Sequence, residues 1–331
     1  MIPWHLRPET HYSSGGHPYR VWGSSVPRIY DEFLMCSFYL YGSRADAENG
    51  EAVGGSGFWL RVHLDQNKDW YQPYAVTNSH NIRKAGKNPV IRLNRNSKFE
   101  VLVTEASKWE HHPDGADVAV LPIDLKFETY SFWALPADKA LLTKDIIAEH
   151  GIGIGDETFM VGRFINHEGR QRNTPSARFG NIAMMPDEPI LDDNGILQES
   201  FLVECRSIPG YSGSPVFVWM APHVGMRAYG QIAGFPPMST ASDWKAFGGI
   251  VGPWLLGINW CHLPDFEPIV QKDRKTRVAS EAFAQSNTGM GGVIPAWKIA
   301  ELLYSEKLIE WRKKADEEKT ENKRKSRAVS D

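Results

Sequence analysis

Gly210-Tyr211-Ser212-Gly213-Ser214-Pro215, running into Val216-Phe217-Val218-Trp219, is the stretch on which the reading of this chain turns. A hydroxyl is a poor nucleophile at neutral pH, and the anion formed by its attack needs preorganised donors. Gly210, two residues before Ser212, lets the chain turn so that the N–H groups of Gly210 and Ser212 converge on one point. Gly213 leaves room beside the hydroxyl, and Pro215 fixes φ where an apolar, β-prone run begins. Alone, the hexapeptide reads equally well as a glycine-rich turn between two strands.

A serine nucleophile also requires a base and a group that orients the base. Upstream, Ala75-Val76-Thr77-Asn78-Ser79-His80-Asn81-Ile82 is an apolar strand end entering a polar turn that carries His80. Gly115-Ala116-Asp117-Val118-Ala119-Val120-Leu121 is a polar turn entering an alternating strand, with Asp117 at its lip. A lone histidine is usually structural and an aspartate before a strand is usually a turn former. In the order His80, Asp117, Ser212, at strand ends, they match a triad in which the acid orients the imidazole and the imidazole takes the serine proton.

With these residues the chain resembles the trypsin-like, chymotrypsin-fold serine proteases, most closely the bacterial HtrA-type branch, over residues 30–300. Gly55-Ser56-Gly57-Phe58, Leu255-Leu256-Gly257-Ile258-Asn259 and Gly289-Met290-Gly291-Gly292-Val293-Ile294-Pro295 extend the match. The resemblance implies an all-β fold of two six-stranded antiparallel β-barrels with a C-terminal helix and the triad in the cleft between the barrels. It divides the chain into an irregular arm (1–30), a first barrel (31–136), a linker (137–154), a second barrel (155–295), and a helix with a charged tail (296–331). It implies a serine endopeptidase acting through an acyl-enzyme, with Gly210 and Ser212 as the oxyanion hole. Gly257, Ile258 and Asn259 would be an edge that pairs with substrate backbone. Arg206 would line the specificity pocket and favour an acidic or polar side chain. Tyr211 departs from the pattern: many secreted trypsin relatives carry an aspartate there that pairs with a new amino terminus, so activation by that ion pair is not expected. After Pro295 too little chain remains for a PDZ domain.

Two other classes stand beside this one. A catalytically silent or partner-gated peptide-binding module on the same barrels would keep the same residues. An esterase of the α/β-hydrolase type would want glycine where Ser214 stands, a helix where Pro215 opens a strand, and the acid and histidine after the serine.

Composition agrees with a soluble globular chain. With 331 residues, 42% hydrophobic, 23% charged and a formal charge of −3, it can bury a two-barrel core and gives no sign of nucleic-acid binding. Three cysteines, Cys36, Cys205 and Cys261, make no disulfide framework. No secretory signal opens the sequence, and no apolar run reaches the roughly 20 residues of a membrane span, so a cytoplasmic protein is expected. Its partners are expected to be a protein or peptide substrate, with neither nucleic acid nor membrane, and a regulatory partner at the C-terminal tail. No metal and no cofactor are expected: His111-His112 reads as an exposed pair in a turn, and Gly151-Ile152-Gly153-Ile154-Gly155 lacks the strand, helix and lysine of a nucleotide loop.

Strands are expected at Phe33–Leu40, Gly57–Val62, Tyr74–Thr77, Val90–Leu93, Phe99–Val103 and Val118–Pro122. The second half should supply Met160–Phe164, Arg178–Ala183, Phe201–Cys205, Pro215–Trp219, Ala228–Gly234, Trp254–Trp260 and Gly292–Ile294. Ala137–Glu149 has helical character, and Ala221–Pro253 is longer than a hairpin needs. Ile299, Leu302, Leu303, Leu308, Ile309 and Trp311 recur at helical spacing, which predicts an amphipathic helix over 296–320. Arg312–Asp331 lacks an apolar stripe and reads as a solvated tail.

Overall fold

The alternating apolar runs pair into two antiparallel systems. The computed structural model describes residues 29–51, 54–65, 67, 70–96, 98–125, 129–163, 169, 171–192, 195–205, 210–219, 252–272 and 277–328. The N-terminal arm through residue 28, the strand expected at 228–234, nearly all of the 221–253 segment, and Arg206 lie outside these residues.

The first system contains β1 (Ser37–Tyr41), β2 (Ser56–His63), β3 (Tyr71–Thr77), β4 (Val90–Arg95), β5 (Lys98–Val103), β6 (Glu110–His111), β7 (Ala119–Pro122) and β8 (Leu135–Pro136). They pair in the order β5-β4-β1-β2-β3-β7-β6, with β8 parallel beside β2. The two-residue strands β6 and β8 take the sheet to eight strands. The second system contains β9 (Glu157–Gly162), β10 (Ser176–Met184), a small hairpin of β11 (Ile190–Leu191) and β12 (Leu197–Gln198), β13 (Phe201–Glu204), β14 (Pro215–Trp219), β15 (Trp254–Lys272) and β16 (Arg277–Pro295). Six of these close a barrel in the order β10-β13-β16-β15-β14-β9. The fold is thus all-β with C-terminal helices. β15 and β16 are far longer than the short strands expected at Trp254–Trp260 and Gly292–Ile294, because they pair with each other as a two-stranded ribbon out to Lys272 and Arg277.

β2, β3 and β7 are apolar on both faces, which is why they read as nearly unbroken hydrophobic runs. Phe58, Leu60, Val62, Tyr74, Val76 and Val120 belong to one core that is continuous with barrel residues such as Phe159, Met160 and Phe217. The alternate residues Trp59, Ala75, Ala119 and Leu121 face a separate core with Phe38, Ile91 and Trp109. Burying a large apolar side chain is worth roughly 1.5–3 kcal/mol. The shared core therefore fastens the sheet to the barrel strongly.

The expected strand at Phe33–Leu40 starts late. Asp31–Met35 is helical, with Asp31 and Glu32 in its first turn where the helix dipole favours acids. Phe33 then reaches across to meet Phe159 and Phe217 edge-on, at centroid distances of 5.6 and 4.9 Å. The helical character at 137–149 resolves into Ala137–Ala140 and Lys144–His150. Gly151, at φ 63°, caps the second helix and donates its N–H to Ile147, so the glycine run there is a helix terminus.

At the C-terminus, Ala296–Leu303 and Glu306–Ala328 are helices. Ile299, Leu302, Leu303 and Leu308 are buried, whereas Trp311 faces outward. The solvated tail expected from Arg312 onward is a correction, because the second helix docks through polar groups in place of an apolar stripe. Buried Arg312 donates to the Tyr74 hydroxyl (2.9 Å) and the Leu303 carbonyl (2.7 Å), and Asn67 Nδ2 donates to Asp316 Oδ1 (2.8 Å) and Thr320 Oγ1 (2.9 Å). No helix among the described residues is long and apolar enough to cross a membrane.

Candidate active site

Antiparallel pairing of Thr77 with Ala119 puts the C-terminal end of β3 beside the N-terminal end of β7, and so brings the segments carrying His80 and Asp117 together. Asn78 Nδ2 donates to the Asp117 carbonyl (2.8 Å) and Ser79 Oγ to the Val118 carbonyl (2.9 Å), which fixes one segment on the other. The expected turn after β3 is a helix, Ser79–Ala85, with His80 in its first turn. Asp117 Oδ1 accepts the His80 backbone N–H (2.8 Å), and Oδ2 lies 2.5 Å from His80 Nδ1. A carboxylate accepts only, so Nδ1 carries the proton and Nε2 is left with its lone pair. The Asp117 side chain is 5% exposed, with Arg83 Nη2 at 3.8 Å from Oδ1.

Gln198, on β12, was not legible as a site residue. Its Oε1 accepts the Asp117 N–H (3.1 Å), while Nε2 donates to the Gly115 carbonyl (3.1 Å) and to Asp192 Oδ2 (3.3 Å). A residue of the second half thereby braces the turn that carries the acid.

The turn that carries Ser212 closes through the Ser214 N–H on the Tyr211 carbonyl (2.9 Å), with Gly213 at φ 91° in its third position. That is a type II requirement, met at no steric cost only by glycine. A Cβ on Gly213 would lie 1.9 Å from the Ser56 carbonyl oxygen, so glycine is also needed for close approach to β2. The Ser212 carbonyl accepts from the Ser56 N–H (2.8 Å) and from Asn81 Nδ2 (3.0 Å). Ser56 Oγ donates to the Gly210 carbonyl (3.2 Å), and Thr77 Oγ1 to the Ser56 carbonyl (2.7 Å). Gly55 leaves the space that the Asn81 amide fills. These contacts explain Gly55, Ser56 and the asparagine next to His80. Among the described residues nothing accepts from the N–H of Gly210 or of Ser212.

Ser212 Oγ donates to the Trp260 carbonyl (3.2 Å), and no hydrogen bond joins it to His80 among the described residues. Asn259 pairs with Val293 and Cys261 with Gly292, which leaves Trp260 as the extra residue of a bulge. Its indole turns inward and donates to Ser200 Oγ (3.0 Å). Gly257, Ile258 and Asn259 are not a free edge, contrary to expectation. Gly257 pairs with both Val216 and Pro295, Ile258 with both Pro215 and Ile294, and both backbone groups of Asn259 on the β14 side are used by Gly213 and Ser214. Strand addition requires open N–H and C=O groups, so these residues cannot receive it. Tyr211 is fully buried, its hydroxyl bonded to Ser176 and its ring under the Arg178 guanidinium at 4.9 Å. No disulfide links the three cysteines.

His111 is exposed as expected, with Nδ1 bonded to Ser79 Oγ (2.8 Å), whereas His112 is a correction: it is buried and bridges its own turn to the C-terminal helix. Its Nδ1 accepts the Asp114 N–H (3.3 Å), so Nε2 carries the proton toward Glu301 Oε2 (3.2 Å). Burial holds the pKa of His112 below its ordinary value, against the pull of Glu301, so this is a neutral hydrogen bond and not an ion pair. His112, Asp114 and Glu301 bring three potential ligand atoms within 4.8 Å of one another, yet Lys298 Nζ already neutralises Glu301 at 2.9 Å.

No protein-family model matches the chain, and no curated protein matches it. Solved structures do. The MamO protease domain of Magnetospirillum magneticum aligns with 84% of this chain and 100% of its own, at 14% identity and TM-score 0.46. Deg5 aligns over 70% of this chain and 81% of its own, at 16% identity and TM-score 0.40. The HtrA-type protease AlgW, solved with a decapeptide, aligns over 82% of this chain and 66% of its own, at 14% identity and TM-score 0.39.

Proposed function

We propose that this chain is a serine endopeptidase in which His80 is the base, Asp117 its orienting acid and Ser212 the nucleophile. One observation carries the reading: Asn81, the residue after His80, hydrogen-bonds the Ser212 carbonyl, while Asp117 holds His80 Nδ1 at 2.5 Å. That Asn81 bond ties the segment that follows β3 of the first sheet to the turn that precedes β14 of the barrel.

In the proposed reaction Ser212 Oγ attacks the scissile carbonyl carbon and its proton passes to His80 Nε2. The imidazolium is stabilised by Asp117, and the oxyanion accepts from the N–H groups of Gly210 and Ser212. Collapse breaks the C–N bond, and the leaving amine takes the proton from His80. Water then attacks the Ser212 ester, with His80 again as base, which releases the acid and restores the hydroxyl. An α/β-hydrolase elbow is disfavoured, because β14 begins three residues after Ser212 where that elbow needs a helix.

A second reading, a partner-gated or silent peptide-binding module, is favoured by the position of Ser212 Oγ on Trp260 in place of His80. A fluorophosphonate probe separates the two. It should label Ser212 in the full chain, and Ser212→Ala should lose all labelling with unchanged circular dichroism. No labelling of the intact chain, with or without peptide, sinks the peptidase reading.

A further inference from the structure

The backbone of Asp117 is held from two sides. Its carbonyl accepts from Asn78 Nδ2 (2.8 Å) in the first half, whereas its N–H meets Oε1 of the buried Gln198 (3.1 Å) in the second. Gln198 in turn is held from outside the site. Glu199, the next residue, accepts from Trp297 Nε1 (3.0 Å), and its other oxygen lies 3.7 Å from Lys298 Nζ. Both partners stand in the first turn of the helix Ala296–Leu303. The Trp297 ring meets Phe201 edge-on at 5.6 Å, which ties this end of the helix to the strand that follows Gln198.

A second path reaches the same turn from its other end. Lys298 Nζ donates to Glu301 Oε2 (2.9 Å), and that oxygen also accepts from His112 Nε2 (3.2 Å). The His112 carbonyl accepts the Gly115 N–H (3.2 Å), and the Gly115 carbonyl accepts from Gln198 Nε2 (3.1 Å). The two paths form a ring that closes at one ammonium. Glu199 and Glu301 both lie within 3.7 Å of Lys298 Nζ, so removing its charge leaves two like charges close together. Lys144 also approaches Glu199 (3.6 Å), but as an exposed side chain whose pull is screened by water.

We propose that the helix Ala296–Leu303 sets the position of Asp117, with Lys298 as the joint and Gln198 as the last link. Lys298 is a positioning residue that acts on the reacting groups through others. The carboxylate reaches the His80 N–H and Nδ1 from a backbone whose N–H and carbonyl are both engaged. With the N–H released, the turn shifts and the imidazole loses its fixed orientation. Displacing a group by about 1 Å costs up to about 100-fold in rate, even when the mutated residue is far from the chemistry. The effect on rate rests on the peptidase reading above, whereas the hold on His80 Nδ1 is read without any reaction.

The test uses the full chain and the variants Lys298→Met, Lys298→Arg and Gln198→Met. Two quantities are followed: the rate of fluorophosphonate labelling at Ser212, and the far-downfield proton resonance expected of His80 Nδ1–H against Asp117. We expect Lys298→Met and Gln198→Met to slow labelling about tenfold and to shift or broaden the resonance at unchanged circular dichroism. Lys298→Arg, which keeps a cation between the two carboxylates, should behave as wild type. Gln198→Met leaves the helix contacts in place and carries the test should Lys298→Met fail to fold. Labelling and resonance unchanged in Gln198→Met, or in folded Lys298→Met, overturn the proposal and leave the peptidase reading standing. Slowing that Lys298→Arg shares, in step with a lower urea midpoint, overturns it too, because a role in stability alone gives that result. A wild-type chain without the resonance also overturns it, since no held imidazole is then there to position. A resonance that responds as expected in a chain that no fluorophosphonate labels sustains the proposal and sinks the peptidase reading.

Discussion

Ser56 touches the Ser212 turn with its N–H, its hydroxyl and its carbonyl, the last standing 1.9 Å from where a Gly213 Cβ would be. Gly213→Ala therefore meets two obstacles, a left-handed φ and a backbone atom that cannot swing aside. The substitution should cost at least about 2 kcal/mol, read as a lower urea midpoint at unchanged slope, and should reduce labelling of Ser212 even where the protein stays folded. His80, Asp117 and Ser212 were picked out in sequence as candidates because each sits in a local context that chemistry restricts: a strand end, a turn lip, a glycine-flanked turn. Ser56, Asn81 and Gln198 were not. Their side chains serve partners as far as 154 residues away in the chain, and nothing in their own neighbourhood marks that service.

At the scale of elements, two corrections share a cause. The stretch from Arg312 onward was read as solvated for want of an apolar stripe and the His111-His112 pair as exposed because it leads into a turn, yet Arg312, Asp316 and His112 are docked through hydrogen bonds between polar groups. Period and hydrophobicity register burial of carbon and miss burial of a paired donor and acceptor. The His112 contact has a pH consequence. Burial keeps its imidazole from protonating near 6.5 as it would in the unfolded chain. On acidification the unfolded state binds the proton first, so stability is flat above 6.5 and falls as pH drops below it. Urea midpoints at pH 7.5 and 5.5 should show that loss, and His112→Gln should make it smaller. A midpoint that moves equally in both proteins would assign the acid sensitivity elsewhere.

For the whole molecule, the all-β class was legible from strand cadence and the six-stranded second barrel was implied by the family resemblance, whereas the long ribbon of β15 and β16 was in neither. The ribbon's strands pair with each other, and Phe266 and Phe283 on it are exposed, so no apolar face announces it. The two halves themselves share one apolar core, and their boundary is crossed by the hydrogen bonds that shape the Ser212 turn. An opening movement of the cleft would pull Ser56 and Asn81 from Ser212 and dismantle the turn. On the peptidase reading the site then works as a fixed slot and not a jaw, and its guest is expected to enter already extended. Denatured casein should be cut, and a compact two-state domain offered at the same concentration should survive until destabilised, with its cleavage rate following its own unfolded fraction. The selectivity that a closing enzyme draws from shape, this one would draw from the stability of whatever is offered to it.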